Sequence, residues 1–150
     1  MFNRTIVEEI EKWAQRTNRK PLILRGARQV GKTTAVEIFS KQFDQYIYLN
    51  LDTNSDLRLF EKNYSIDELV QAIYFEKNKK TINGRTLIFI DEIQNSANAI
   101  LMLRYFYESF KDLYVIAAGS LLESLLVRQI NFPVGRVEYL FMKPLTLMNL

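Results

Sequence analysis

Four short, almost unbroken apolar runs set the tightest limit on how this chain can fold: Leu22-Ile23-Leu24, Tyr46 to Leu51, Leu87 to Ile90 and Leu113 to Ala118. Runs this short, rich in Ile, Leu, Val and Tyr, suit strands covered on both faces. The stretches between them carry apolar residues at helical spacing. Ile6, Ile10, Trp13 and Ala14 share one face of a first helix, and Ala35, Ile38, Phe39 and Phe43 one face of a second. Leu69, Ala72, Ile73 and Glu76 mark a third, half-buried helix; Ile100, Leu103, Phe106, Tyr107 and Phe110 stripe a fourth; Leu121 to Val127 gives a short fifth. A fifth strand is expected from Val137 to Met142, stopping at Pro144. Thr5-x-x-Glu8 and Ser65-x-x-Glu68 read as capping boxes, and Ser96 as the cap of the fourth helix. Strand and helix alternate, which predicts an α/β three-layer sandwich, a mostly parallel five-stranded sheet with helices on both faces.

Composition removes several chemistries. The 150 residues suffice for one domain with its own core, and nearly half of them are apolar. There is no cysteine and no histidine. Disulfide frameworks, thiolate or imidazole metal sites and histidine general bases are therefore excluded, and acid–base work falls to carboxylates, Lys or Tyr. The amino-terminal stretch is polar and amphipathic rather than a secretory leader. No apolar run approaches the roughly 20 residues of a spanning helix, so a cytoplasmic location and no membrane partner are expected. A net charge of +3, with both signs mixed along the chain, does not by itself point to nucleic acid.

The octapeptide Gly26-Ala27-Arg28-Gln29-Val30-Gly31-Lys32-Thr33 matches G-x-x-x-x-G-K-[ST] in full. It follows the first strand and opens the second helix, the context a phosphate-binding loop requires. Gly26 and Gly31 permit backbone angles a Cβ would forbid, so consecutive amides can curl around a polyphosphate. The helix beginning near Lys32 aims its positive end at the same anion. Lys32 would bridge the β- and γ-phosphates, the Thr33 hydroxyl would ligate Mg²⁺, and Thr34 could reach the α-phosphate. Downstream, Leu87-Ile88-Phe89-Ile90-Asp91-Glu92 is an apolar strand ending in two carboxylates. Ligands of open α/β sheets bind at the carboxyl ends of strands. Asp91 is there to hold Mg²⁺ through a water, and Glu92 to orient and deprotonate an attacking water.

Other candidates are weaker. Ser120, after Leu113 to Ala118 and Gly119, would lie near the γ-phosphate if its strand sits between the loop strand and the carboxylate strand. It equally suits the cap of the next helix. Arg136, after Pro133-Val134-Gly135, could stabilise charge on the γ-phosphoryl group, in its own subunit or a neighbour's, or be a plain structural arginine. Gln94 could position water or a neighbour. Lys77-Asn78-Lys79-Lys80 suits a solvated loop better than a nucleic-acid contact. Tyr105, Phe106, Tyr107 and Phe110 are too many for one helix face, so part is core and part is free for a partner.

With these residues assembled, the chain resembles the AAA-type P-loop ATPases of bacteria and archaea, more narrowly those whose longer members add a C-terminal domain. The resemblance is carried by Arg19 to Thr33, by Phe89-Ile90-Asp91-Glu92-Ile93-Gln94, by Ala118-Gly119-Ser120, and by Pro133-Val134-Gly135-Arg136 with Pro144-Leu145. It implies the additional-strand, catalytic-glutamate class with strand order 5-1-4-3-2. It also implies Glu92 as the catalytic glutamate, Ser120 at the position of the first sensor, where many relatives carry Asn, and Arg136 as the charge-stabilising arginine. Residues 1–150 read as the ATPase core, without the helical lid and C-terminal domain such proteins carry. The sequence closes soon after the fifth strand, as a minimal domain or the front portion of something longer would.

The expected activity is Mg²⁺-dependent ATP binding with hydrolysis coupled to a conformational change, in a protein whose partners are ATP and ADP and, further, a protein or a second copy of itself. ATP is preferred because no guanine-reading Asn-Lys-x-Asp motif is present. The competing readings are a small-molecule kinase, for which late arginines are scarce, and a nucleotide-binding module without turnover.

Overall fold

The computed structural model describes residues 4–26, 31–119, 133 and 135–142. The elements run α1 (Arg4–Ala14), β1 (Leu22–Arg25), α2 (Lys32–Ser40), β2 (Gln45–Asn50), α3 (Asn54–Phe60), α4 (Ile66–Glu76), β3 (Thr86–Asp91), a single 3₁₀ turn (Ile93–Asn95), α5 (Ala97–Ser109), β4 (Leu113–Ala118) and β5 (Glu138–Phe141). All four strand pairings are parallel and the order is β2-β3-β4-β1-β5, the expected 5-1-4-3-2 read from the other edge.

Alternation along the strands sends the core to both sides of the sheet. Ile23, Ile47, Leu49, Ile88, Ile90, Val115 and Ala117 pack under α3, α4 and α5 with Leu59, Ile73 and Phe106. Leu22, Leu24, Leu87, Phe89, Ile116 and Ala118 face the other way, against Ile10 and Trp13 of α1 and Val36 and Phe39 of α2. The result is three layers, as the alternation of elements requires. In β3 every residue from Thr86 to Ile90 is buried. β2 departs from the expectation of a strand covered on both faces: as an edge strand it alternates half-buried Tyr46 and Tyr48 with buried Ile47 and Leu49.

Caps follow the sequence with one exception. Ser65 Oγ accepts from the Glu68 amide while Glu68 Oε1 accepts from the Ser65 amide, a closed capping box at α4. Ser96 Oγ accepts from the Ala99 amide at 3.0 Å and starts α5. Thr5, expected ahead of α1, falls inside the helix, which already includes Arg4. The helix expected at Leu121 to Val127 lies outside the described residues. An element not expected, α3, is held in place by buried Asp56. Its Oδ2 accepts from the Asn50 amide at 2.9 Å, and its Oδ1 lies 2.7 Å from Lys77 Nζ. Lys77 is thus tied to α3, which leaves Lys79 and Lys80 as the exposed lysines of that run. Of the aromatic cluster on α5, Phe106 is buried and Tyr105, Tyr107 and Phe110 are half-buried against the surrounding structure.

Candidate functional site

Parallel pairing brings the carboxyl ends of β1, β3 and β4 to one edge of the sheet, and the motif residues gather there. Gly26 leaves β1 with φ 140° and Gly31 precedes α2 with φ 85°, both in the region that favours glycine. The first turn of α2 then begins at Lys32, with Gly31 O accepting from the Ala35 amide at 2.9 Å. The leading amides of a helix have no partner within it, so they remain available to an anion. Ala27, Arg28, Gln29 and Val30, expected to complete the cradle, lie outside the described residues, as does Ser120.

The Lys32 ammonium is buried and donates to Gly26 O at 2.7 Å and Gly119 O at 3.3 Å. A cation held on neutral carbonyls, beside the point where β4 ends, is placed to meet phosphate oxygens. Thr33, one residue on, donates from Oγ1 to Asp91 Oδ2 at 3.1 Å, joining α2 to the end of β3. Thr34 is exposed at the start of the same helix.

Asp91 is held from three directions. Tyr48 donates to Oδ2 at 2.8 Å, Thr33 donates to the same oxygen, and the Glu92 amide donates to Oδ1 at 3.0 Å. Burial first, then the bond to Asp91, raises the Tyr48 phenol above its ordinary value, so it stays a protonated donor. Tyr46, two residues earlier on the same face, is raised by burial and by the negative charges of Glu37 and Asp91, and its buried hydroxyl has no hydrogen-bond partner.

Glu92 adopts left-handed backbone, φ 55° and ψ 45°. That conformation costs an L-residue roughly 1–2 kcal/mol, and such strain gathers at working sites. Its Oε1 accepts from Gln94 Nε2 at 3.0 Å, while Gln94 Oε1 is buried without a partner. The two-oxygen meeting of Thr33 and Asp91 suits Mg²⁺, which takes one or two protein oxygens and fills the rest of its shell with water and phosphate. Among the described residues no three carboxylates cluster into a metal cage.

Arg136 is not with them. Glu138 pairs with Leu22 at the amino end of β1, so Arg136 lies at the opposite edge of the sheet, roughly 20 Å from Gly26 at about 3.3 Å per residue. Its Nε donates to Glu108 Oε2 at 3.1 Å. Arg104, then Arg136, hold the Glu108 carboxyl below its ordinary range. The structure therefore brings together Gly26, Gly31, Lys32, Thr33, Asp91, Glu92 and Gln94, and sets Arg136 apart. Sequence reasoning missed Tyr48; its signal was the alternation Tyr46, Ile47, Tyr48, Leu49, which puts both phenols on the face that meets α2.

A parallel sheet of this order, with a glycine-bounded lysine loop after β1 and an acidic pair ending β3, the strand two places away, defines a P-loop nucleotide-binding protein. Residues 18–150 match the sequence profile of the AAA domain, and the chain belongs to that family. No protein of curated function matches it by sequence. Among solved structures it is similar in fold to the Orc1 protein of Aeropyrum pernix in complex with DNA, at 16% identity and a TM-score of 0.56. That match covers 95% of this chain and 44% of the Orc1 chain. Among the described residues no helix is long and apolar enough to cross a membrane.

Proposed function

We propose that the chain binds ATP with Mg²⁺ at this edge of the sheet and hydrolyses it, with hydrolysis driving a conformational change. The observation that carries the reading is the approach of Thr33 to Asp91 at 3.1 Å with Glu92 next in the chain. The amides from Gly26 through Thr34 wrap the phosphates, Ala27, Arg28, Gln29 and Val30 included. Lys32 leaves its two carbonyls for the β- and γ-phosphate oxygens, where a charge-assisted bond is about twice as strong as a neutral one. Thr33 and Asp91 hold the metal, which neutralises charge on the phosphoryl oxygens. Glu92 takes the proton of the attacking water, and Ser120 contacts that water or the γ-phosphate. Arg136, too far from its own loop, acts on the nucleotide of a neighbouring copy. The protein works in the cytoplasm.

Turnover of ATP without any added acceptor, in the parent and in Glu92→Gln, tests the reading. Phosphate release by the parent and its loss in a variant that still binds ATP are expected. Equal rates would remove Glu92 as the base. Phosphate transfer only to an added acceptor would make the protein a kinase.

A further inference from the structure

We propose that Tyr48 is a positioning residue for the metal, its hydroxyl holding the Asp91 carboxylate in the orientation that Mg²⁺ binding needs. The inference rests on the assignment of Asp91 to the metal and deepens it.

The carboxylate has about four acceptor positions on its two oxygens. Three are taken: Thr33 and Tyr48 share Oδ2, at 3.1 and 2.8 Å, and the Glu92 amide holds Oδ1 at 3.0 Å. A hydroxyl meets a metal through its oxygen lone pairs and keeps its proton to donate, so Thr33 can serve Asp91 and Mg²⁺ together, but its orientation then follows the metal. The donors that orient the carboxylate independently of the metal are the Glu92 amide and Tyr48. The Glu92 amide is backbone of a strained residue. Tyr48 is the side-chain donor, and it comes from a different strand.

That strand fixes it well. β2 runs in register with β3, Tyr48 opposite Phe89 and Asn50 opposite Asp91, so the phenol reaches along the sheet from two residues before the carboxylate's own partner. Its ring lies against Phe89 with centroids 5.6 Å apart. Outer donors of this kind orient metal ligands, and their loss typically costs 10- to 100-fold in metal affinity. A core tyrosine with no such duty is available for comparison on the same face. Tyr46 is half-buried, and its hydroxyl bonds to nothing.

The experiment compares the parent, Tyr48→Phe and Tyr46→Phe. Each is titrated with ADP in the presence of EDTA, then with Mg²⁺ at fixed ADP. The phosphates are held by the loop and Lys32, and Asp91 enters only through the metal. Tyr48→Phe is therefore expected to keep the parent's affinity for metal-free ADP and to need about tenfold more Mg²⁺ for half-saturation. Tyr46→Phe should match the parent in both. An unchanged Mg²⁺ midpoint in Tyr48→Phe overturns the proposal, and so does an equal loss of metal-free and metal-dependent affinity, which would make Tyr48 a packing residue. Should Tyr48→Phe fold poorly, Tyr48→Met, which fills similar space without a hydroxyl, takes its place in the same two titrations with the same expected and overturning outcomes. A parent whose ADP affinity ignores Mg²⁺ overturns the Asp91 assignment and this proposal together, and that outcome is visible before any substitution is made.

Discussion

Thr33 and Asp91, 58 residues apart in the chain, meet at 3.1 Å, so the first turn of α2 and the end of β3 present two oxygens to one point. Lys32 sits one residue before this pair with its ammonium on Gly26 O and Gly119 O. Lys32→Ala should weaken Mg·ATP binding by roughly 10- to 100-fold, the worth of one charge-assisted bond of about 1.5–3 kcal/mol. The lost partners include the carbonyls of Gly26 and Gly119, which a water can reach through the small residue, so the fold should survive. Calorimetric titration together with a denaturation curve checks both halves. Unchanged affinity in a folded variant would sink the assignment of the loop.

Much of this arrangement was legible because it is local. The phosphate loop, the strand before it and the helix after it are contiguous, and β3 is buried on both faces as its apolar run implies. Three features were not. α3 has few apolar residues, and no side-chain bond caps it at Thr53. It is held by Asp56 reaching the Asn50 amide and Lys77, contacts that no local pattern announces. The bond between Tyr48 and Asp91 joins residues 43 apart and depends on the register of β2 on β3. The place of Arg136 was hidden for the same reason, since the parallel register of β5 on β1 decides it.

Glu92 combines a left-handed backbone with the proposed base. Glu92→Asn removes the reach of the carboxylate and installs a residue that tolerates φ near 55°. The relief of about 1–2 kcal/mol offsets the lost bond from Gln94, worth about as much. Hydrolysis should therefore disappear while stability stays within about 1 kcal/mol of the parent. Urea midpoints measured beside turnover test it. A variant destabilised well beyond that would show that the strain serves the fold rather than the reaction.

Three tyrosines, Tyr46, Tyr48 and Tyr74, have phenols raised by burial above their ordinary value of 10.0. Above that pH the unfolded chain releases phenolic protons that the native chain retains. The native state then binds more protons, so stability falls as pH rises. It is fully present below about pH 10 and lost progressively above it. Denaturation at a series of pH values from neutral to 11 should show the decline, shallower in a Tyr46→Phe, Tyr48→Phe double variant. A flat profile would contradict the burial of these hydroxyls.

The ion pair of Lys77 with Asp56 has one partner nearly buried and one partly open, with side chains 6% and 26% exposed. Removing the cation leaves the carboxylate with the Asn50 amide alone. A fully buried pair broken in this way costs about 3–5 kcal/mol, and the access of water to Lys77 reduces that. Lys77→Met should lose about 1–3 kcal/mol, read from denaturant midpoints. Asp56→Asn with Lys77→Met should recover part of the loss. No recovery would mean that Lys77 acts through its stem rather than its charge.

The proposed role of Arg136 makes it the test of whether the protein works alone. At roughly 20 Å from Gly26 it cannot touch a phosphate bound to its own loop. In the proposed arrangement the guanidinium at the far edge of one copy meets the nucleotide of another. The bond to Glu108 is exposed, and an exposed ion pair is worth little, so the arginine can leave it at small cost. Arg136→Ala should then bind ADP as the parent does and hydrolyse slowly, while Lys32→Ala supplies the arginine but leaves its own loop largely empty at ATP concentrations that saturate the parent. Mixed in equal amounts, the two inactive variants should regain part of the parent's turnover, because a pair contains one intact loop facing one intact arginine. The recovery should grow with total protein concentration. A mixture that stays inactive at concentrations where the parent turns over would confine Arg136 to its bond with Glu108.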